Sequence, residues 1–270
     1  MSFVFSEIKK HIKLYFLFIK LSLMSVMEYR SNFIIGILVE ICFLFTKILY
    51  LVVVYNAGVT INGFSPDYMT LYVGTFSIIS AIYNGFIMEN FYNIPRHVKT
   101  GSLDMLITKP ISLQFILTLR QANFSMIFAN LIGGITMVSI AWDRLDIQLS
   151  LINIIGYIVF IISGIIMAYA VFLFPMLISF WIVETSALIE IADRGWEFNS
   201  MPMAIYTRTI QRVGMFIIPV FAITNFPSLF LVNKLELTYI VWAVVAPIIF
   251  LILIRLFWNY AIRNYTSANM

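Results

Sequence analysis

Apolar runs long enough to cross a lipid bilayer dominate this chain, and they fix its fold class before any motif is read. A helix needs about 20 apolar residues to span a hydrocarbon core of about 30 Å. Six stretches meet that length: 33–56, 68–88, 114–141, 151–183, 213–232 and 239–258. Of the 270 residues, 61% are hydrophobic and 11% are charged, against about 25% charged in a soluble domain. The expectation is an all-α membrane protein in which residues 1–270 form one transmembrane domain, with little polar sequence left for a separate soluble unit. The fourth stretch is too long for one perpendicular crossing and contains Gly156, Gly164 and Pro175, so tilt or a kink is expected. In the fifth, Pro219 and Pro227 divide the run. The segment that follows, 223–238, either completes the crossing or dips in and returns as a re-entrant piece, which needs protein or water around its backbone.

The basic residues orient the spans. With both termini in the cytoplasm, segments 1–32, 89–113, 184–212 and 259–270, with the adjoining span ends, hold Lys9, Lys10, Lys13, Lys20, Arg30, Arg96, Lys99, Lys109, Arg120, Arg194, Arg208, Arg212, Arg255 and Arg263. Only Arg144 and Lys234 fall outside, and Lys47 lies within the first span. Lys and Arg favour the cytoplasmic side, so the net charge of +4 reads as topology and requires no nucleic acid. Tyr50, Tyr55, Tyr68, Tyr72 and Trp142 fall near outer span ends and are expected to form an interface belt.

Residues 1–32 read as an elbow. At 100° per residue, Lys9, Lys13 and Lys20 lie within about 40° of one another, while Phe16, Phe18, Ile19, Leu21 and Leu23 cover much of the remaining surface. Such a helix lies in the membrane interface, lysines toward lipid phosphates. The lysines are interspersed with apolar residues and no small-residue cleavage site follows, so no cleavable leader is expected. Cys42 is the single cysteine, which excludes an internal disulfide and suggests a small buried apolar side chain.

The 89–113 segment is far longer than the roughly 2–8 residues that joining two helices requires. Pro95 suits the first turn of a helix that carries Arg96 and Lys99 and stops at Gly101. Ser102 then suits the cap of a second helix, with Asp104 in its first turn and Lys109 near its end, and Pro110 ends it. Leu103 opens the apolar centre LDMLI. Two short helices joined by a glycine elbow make a surface suited to a cytoplasmic partner, or to the membrane interface alone.

Reactive chemistry is thin. There is no phosphate-cradling G-x-x-x-x-G-K-[ST] loop. His11 and His97 fall in different segments, so no metal site is expected, and no nucleophile, histidine and acid come together on one membrane face. Glu40 and Lys47 are the charges deepest in a predicted span, seven residues apart on one helix face. Intramembrane ionisable groups are functional candidates: either these two line a translocation path, or Lys47 snorkels outward while Glu40 pairs with a neighbouring span. Glu89 and Glu184 fall at inner span ends, where a structural role is expected.

The stretch GSLDMLITKPIS (101–112) resembles a signature of the permease subunits of ABC-2-type exporters, in the branch of viologen-exporter-like and related multidrug permeases. ISFW (178–181), MPMAIY (201–206) and IIPVFAITNFPS (217–228) follow in the same order. Lys99 stands where that pattern has a basic residue before the glycine, offset by Thr100. The resemblance implies six spans, a partner permease chain that is a copy or a paralogue, and a separate ATP-binding cassette subunit that holds ATP and Mg, leaving this chain without a cofactor or enzymatic role of its own. It implies that Pro95, Arg96, Lys99, Gly101, Leu103, Asp104, Lys109 and Pro110 belong to a coupling helix that receives the ATPase. It implies an outer gate around Pro219, Asn225, Phe226 and Pro227. Amphipathic or hydrophobic cargo suits the many Phe and Met residues. Ile, Phe, Asn and Lys usage suits a bacterium with an AT-rich genome, and so a bacterial plasma (inner) membrane. An ATP-independent channel or secondary transporter, and a structural membrane protein, are the rival readings.

Overall fold

A computed structural model of the chain describes residues 2–58, 60, 63–182 and 186–265. It is all helical, with no strand among the described residues. Helix α1 (Ser2–Glu28) turns at Tyr29 into α2 (Arg30–Ala57), which places the elbow three residues before the boundary expected at 32. α3 (Pro66–Tyr83) passes through a π-turn (Asn84–Met88) directly into α4 (Glu89–Lys99). α5 (Leu103–Ile107) and α6 (Leu113–Leu119) are short. α7 (Phe124–Arg144), α8 (Leu151–Ile178) and α12 (Leu237–Arg263) are long. Between α8 and α12 the chain is broken into α9 (Ser186–Glu197), two 3-10 turns, α10 (Arg208–Arg212), a second π-turn (Val213–Ile217) and α11 (Val220–Leu231). Among the described residues five helices are long and apolar enough to cross a membrane, and the bent pair 208–217 plus 220–231 makes a sixth if it counts as one span.

Four expectations change. The second span does not end at 88 with Pro95 opening a new helix; it is continuous from Pro66 to Lys99, and Pro95 lies inside it. A proline there removes one backbone bond, but Asn90, Phe91, Ile94 and Pro95 are buried, and helices in proteins are held mainly by such packing. The third span starts at Phe124 instead of 114, because the polar run Arg120 to Asn123 separates α6 from α7. The fifth run bends by 100° between Ile217 and Val220, as a broken span or a re-entrant turn would; the bend falls at Pro219, ahead of 223, and 220–231 is one buried helix. Fourth, the 184–212 segment is more than a connecting loop: over its described residues it folds into helices and turns that pack on the bundle. Trp196 stacks on Tyr83 at 4.2 Å between ring centres, and Asn199 is fully buried. α9 is amphipathic, burying Leu188 and Ala192 while Arg194 pairs at its surface with Glu190 and Glu197. Glu184 lies outside the described residues.

α3 is the hub. Of its most apolar window 72% is buried, against 11% for α2 and 22% for α12. It meets α7 without side chains between: a Cβ on Gly134 would lie 2.8 Å from the Gly74 carbonyl, and one on Gly74 would lie 2.9 Å from the Val138 nitrogen. Small residues that admit a neighbouring backbone are how helices associate where lipid removes the hydrophobic drive. α11 approaches α8 the same way, with the Ile223 carbonyl 2.2 Å from where a Gly164 Cβ would stand. Cys42 faces outward from α2, so it is not the buried apolar side chain expected.

A side chain at 164 must push α11 off α8. Gly164→Val is expected to cost about 1–3 kcal/mol, the usual penalty of overpacking, and to lower the thermal unfolding midpoint in mild detergent.

Candidate functional site

Residues 89–122 fold into a helical hairpin held at both ends. Gly101 takes φ of +67°, a left-handed conformation that glycine adopts without penalty, and there the chain turns from α4 into α5. Ser102 stands at the start of α5 but does not cap it; its hydroxyl bonds the His97 Nδ1 at 2.8 Å and the Thr100 hydroxyl at 2.9 Å, tying the elbow across. Leu103 and Leu106 are buried, whereas Met105 and Ile107 are 68% and 44% exposed. Arg96, Lys99 and Lys109 are exposed, Pro95 is buried, and Asp104 occupies the first turn of α5.

The clasp at the base is Asn90, buried in α4. Its Nδ2 donates to the carbonyls of Phe86 and Gln121 at 2.9 and 2.8 Å, and its Oδ1 accepts from the Gln121 N–H at 2.8 Å. Asn93 bonds the Gln121 side chain at 2.9 Å. The π-turn also takes part, since the Asn123 N–H donates to the Gly85 carbonyl at 2.7 Å. α1 supports the same hairpin. Lys10 donates to the Pro110 carbonyl at 3.0 Å, the Ala122 N–H donates to Ser22 at 3.1 Å, and Phe115 meets the rings of His11 and Phe18. The eight residues expected at a coupling helix therefore fall on one braced hairpin. Asn90, which anchors it, was not singled out from sequence, where a single Asn in an apolar run carries no pattern.

Glu40 and Lys47 meet through a third residue. Asn130 of α7 donates to Glu40 Oε2 at 2.6 Å and accepts from Lys47 Nζ at 3.0 Å; Lys47 also donates to Ser77 at 3.1 Å and sits over the Phe76 ring. Both charges are thus turned toward α3 and α7 and bonded there: Glu40 pairs with a neighbouring span, and Lys47 does the same instead of snorkelling outward. Asn130 is 2% exposed, and a buried amide between two charged groups satisfies both at once.

A second polar centre lies where α3, α11 and the 198–203 turn meet. The Tyr72 hydroxyl stands 2.7 Å from the Thr224 hydroxyl and bonds the carbonyls of Asn199 and Met201 at 3.0 and 2.9 Å, and Asn225 Nδ2 donates to it at 3.4 Å. Asn225 Oδ1 accepts from the Met203 N–H at 2.9 Å. Tyr68 reaches Ser228, and Thr75 reaches Tyr157 at 2.8 Å. Tyr68 and Tyr72, expected in an interface belt, are 3% and 0% exposed: each ring fills the core and its hydroxyl finds a buried partner, as buried tyrosine requires. Of the expected gate residues, Asn225, Phe226 and Pro227 are buried in α11, with Phe226 facing Tyr239 at 6.0 Å, and Pro219 marks the bend. Tyr72, Thr224 and Asn199 were missed because their meeting depends on tertiary placement of a segment that reads as a loop.

Tyr72→Phe removes the one O–H that the buried Asn199 and Met201 carbonyls share, while Thr224 and Asn225 keep their bonds to Asn199 Oδ1 and the Phe221 carbonyl. It is expected to lower stability by about 1–3 kcal/mol, read as an earlier thermal unfolding midpoint, while Tyr50→Phe, at a partly exposed ring, changes it by less than about 0.5 kcal/mol.

A family model described as ABC-2 family transporter protein matches residues 41–269. No curated protein matches the chain, and no solved structure does.

Proposed function

We propose, since the chain belongs to the ABC-2 family of transporter proteins and is a membrane permease component of an ABC transporter, that it forms the translocation path of an ATP-driven exporter. In this reading two permease chains, identical or paralogous, pair in a bacterial plasma membrane with their termini in the cytoplasm. A separate ATP-binding cassette subunit, carrying ATP and Mg, docks on the hairpin 89–113 of each. The cargo class that suits the apolar interior is amphipathic or hydrophobic, as in the multidrug branch.

The observation that carries this reading is the bracing of the hairpin. An element clasped by Asn90, propped by α1 and continuous with the central helix can transmit a push, whereas a merely connecting turn needs none of these ties. Its exposed Met105 and Ile107 offer apolar contact, and Arg96, Lys99 and Lys109 offer charge. Glu40 and Lys47, bonded to Asn130, support a structural role for that pair more than direct contact with cargo. The gate assigned to Pro219, Asn225, Phe226 and Pro227 is proposed as a conformational element built around the bend at Pro219.

Proline cannot adopt the positive φ of Gly101, so Gly101→Pro should misdirect α5. Expected is a chain that still inserts but no longer exports and no longer retains its ATP-binding subunit in a mild-detergent pull-down; Asp104→Lys is expected to reduce the same retention. Wild-type retention that survives scrambling of residues 93–109 would move the docking site off this hairpin, whereas a chain that purifies without an ATP-binding subunit, or vesicle flux without nucleotide, would favour the channel or secondary-transporter reading.

A further inference from the structure

The hairpin encloses a hollow of about 370 Å³ between α4, α5 and α6. Its polar wall is made by Asn93, Arg96, His97, Ser102, Arg120 and Gln121, over a floor that includes Leu106 and Leu117. Two guanidiniums and an imidazole surround it and no carboxylate lines it. Among the described residues neither Arg96 nor Arg120 makes an ion pair. Each guanidinium presents a planar fork of donors matched to an oxyanion, and both arginines are exposed, so an anion can reach them from solvent.

The wall is built in advance. The bond from Ser102 fixes His97 through Nδ1, the Asn93 to Gln121 bond joins the two sides, and Asn90 holds the backbone at Gln121 beside Arg120. The volume falls among small-molecule sites, about 300–1,000 Å³, and a single carboxylate side chain would fill only a small part of it. The exposed Met105 and Ile107 flank the lining residue Leu106 in sequence, and the elbow helix reaches the same hairpin through the bond from Lys10 to Pro110. Basic pockets between helices at a membrane surface suit phospholipid headgroups.

We propose that this hollow binds the phosphate of an anionic phospholipid headgroup, with Arg96 and Arg120 as the forks and His97, Asn93 and Gln121 as supporting polar groups. The site does not depend on the exporter reading and stands or falls separately from it. Bound lipid would neutralise the two arginines and hold α4, α5 and α6 in their present angles.

The test uses the full chain in mild detergent, titrated with short-chain phosphatidylglycerol, phosphatidylcholine and inorganic phosphate, with bound adducts counted by native mass spectrometry. Expected is retention of phosphatidylglycerol at least about tenfold over phosphatidylcholine, lost in Arg96→Gln/Arg120→Gln and weakened but not abolished in Arg96→Lys/Arg120→Lys, which keep the charge without the fork. Arg120→Gln alone, which leaves α4 untouched, should lose about tenfold and serves if the double variant misfolds. Inorganic phosphate that competes only at far higher concentration supports a lipid source; phosphate that binds as tightly as phosphatidylglycerol overturns the lipid assignment in favour of a free anion. Equal binding of the two lipids, or binding indifferent to both arginines, overturns the site. So does a crosslink from an acidic segment of an ATP-binding subunit to Arg96 or Arg120 while phosphatidylglycerol binding is unchanged, which would make the hollow a protein contact.

Discussion

Backbone groups inside a bilayer have no water to fall back on, and at four interruptions of the helices among the described residues another group takes over the bonds. At the α6–α7 break the Asn90 side chain serves both the N–H and the carbonyl of Gln121. At the first π-turn the Gly85 carbonyl receives the Asn123 N–H. At the second, Trp242 Nε1 donates to the Met215 carbonyl at 2.9 Å. Around the 198–203 turn the Tyr72 hydroxyl serves two carbonyls and Asn225 serves the Met203 N–H. Each of these side chains is buried or half-buried and would be costly there without its partner. The polar residues of the interior and the irregular backbone are therefore one design feature, and the bends are as specified as the straight helices.

Packing follows from the same absence of water. Apolar side chains gain little by leaving lipid for another helix, so association rests on close approach and on polar bonds. The α3–α7 crossing at Gly74 and Gly134 supplies the first, and Asn130 between Glu40 and Lys47 supplies the second. Both lie at the hub helix. α2 and α12 keep most of their apolar windows outward, which costs nothing in a bilayer.

What could be read in advance follows from these physics. α2, α8 and α12 were legible because length and hydropathy alone specify a span. Gly101 was legible because a helix end between charged turns favours glycine. Pro95 misled because its local preference for a first turn lost to the burial of Phe91 and Ile94. Arg120 to Asn123 misled because a polar interruption of four residues inside a long apolar run is too short to stand out, and only Asn90, thirty residues earlier, makes it a break. Tyr68 and Tyr72 have the composition of an interface belt, and nothing local distinguishes that from a core position. The 186–207 stretch, amphipathic and of mixed charge, reads as a loop until Trp196 is seen against Tyr83. Asn130 is the partner that Glu40 and Lys47 demanded, but the demand does not name a position.

The continuous helix from Pro66 to Lys99 joins the two polar elements into one mechanical path. Tyr72 and Lys99 are 27 residues apart on it, about 40 Å at 1.5 Å per residue. One end carries the hairpin, held by Asn90; the other carries the hydroxyl that fixes α11 and the 198–203 turn. A tilt of this helix driven at the hairpin would act on Tyr72 at the far end, and the bonds there are short and directional, so they break or hold instead of stretching. The π-turn at Asn84–Met88 lies between the two and is the natural place for such a helix to yield, since π-turns are common at functional sites and loosen the regular bonding. Its Gly85 is pinned to Asn123, however, so yielding there also moves the start of α7 and, six residues on, Asn130. If the hairpin receives a partner as proposed, a displacement entering there has contiguous contacts to Tyr72 through α3 and to the Glu40–Asn130–Lys47 set through α7.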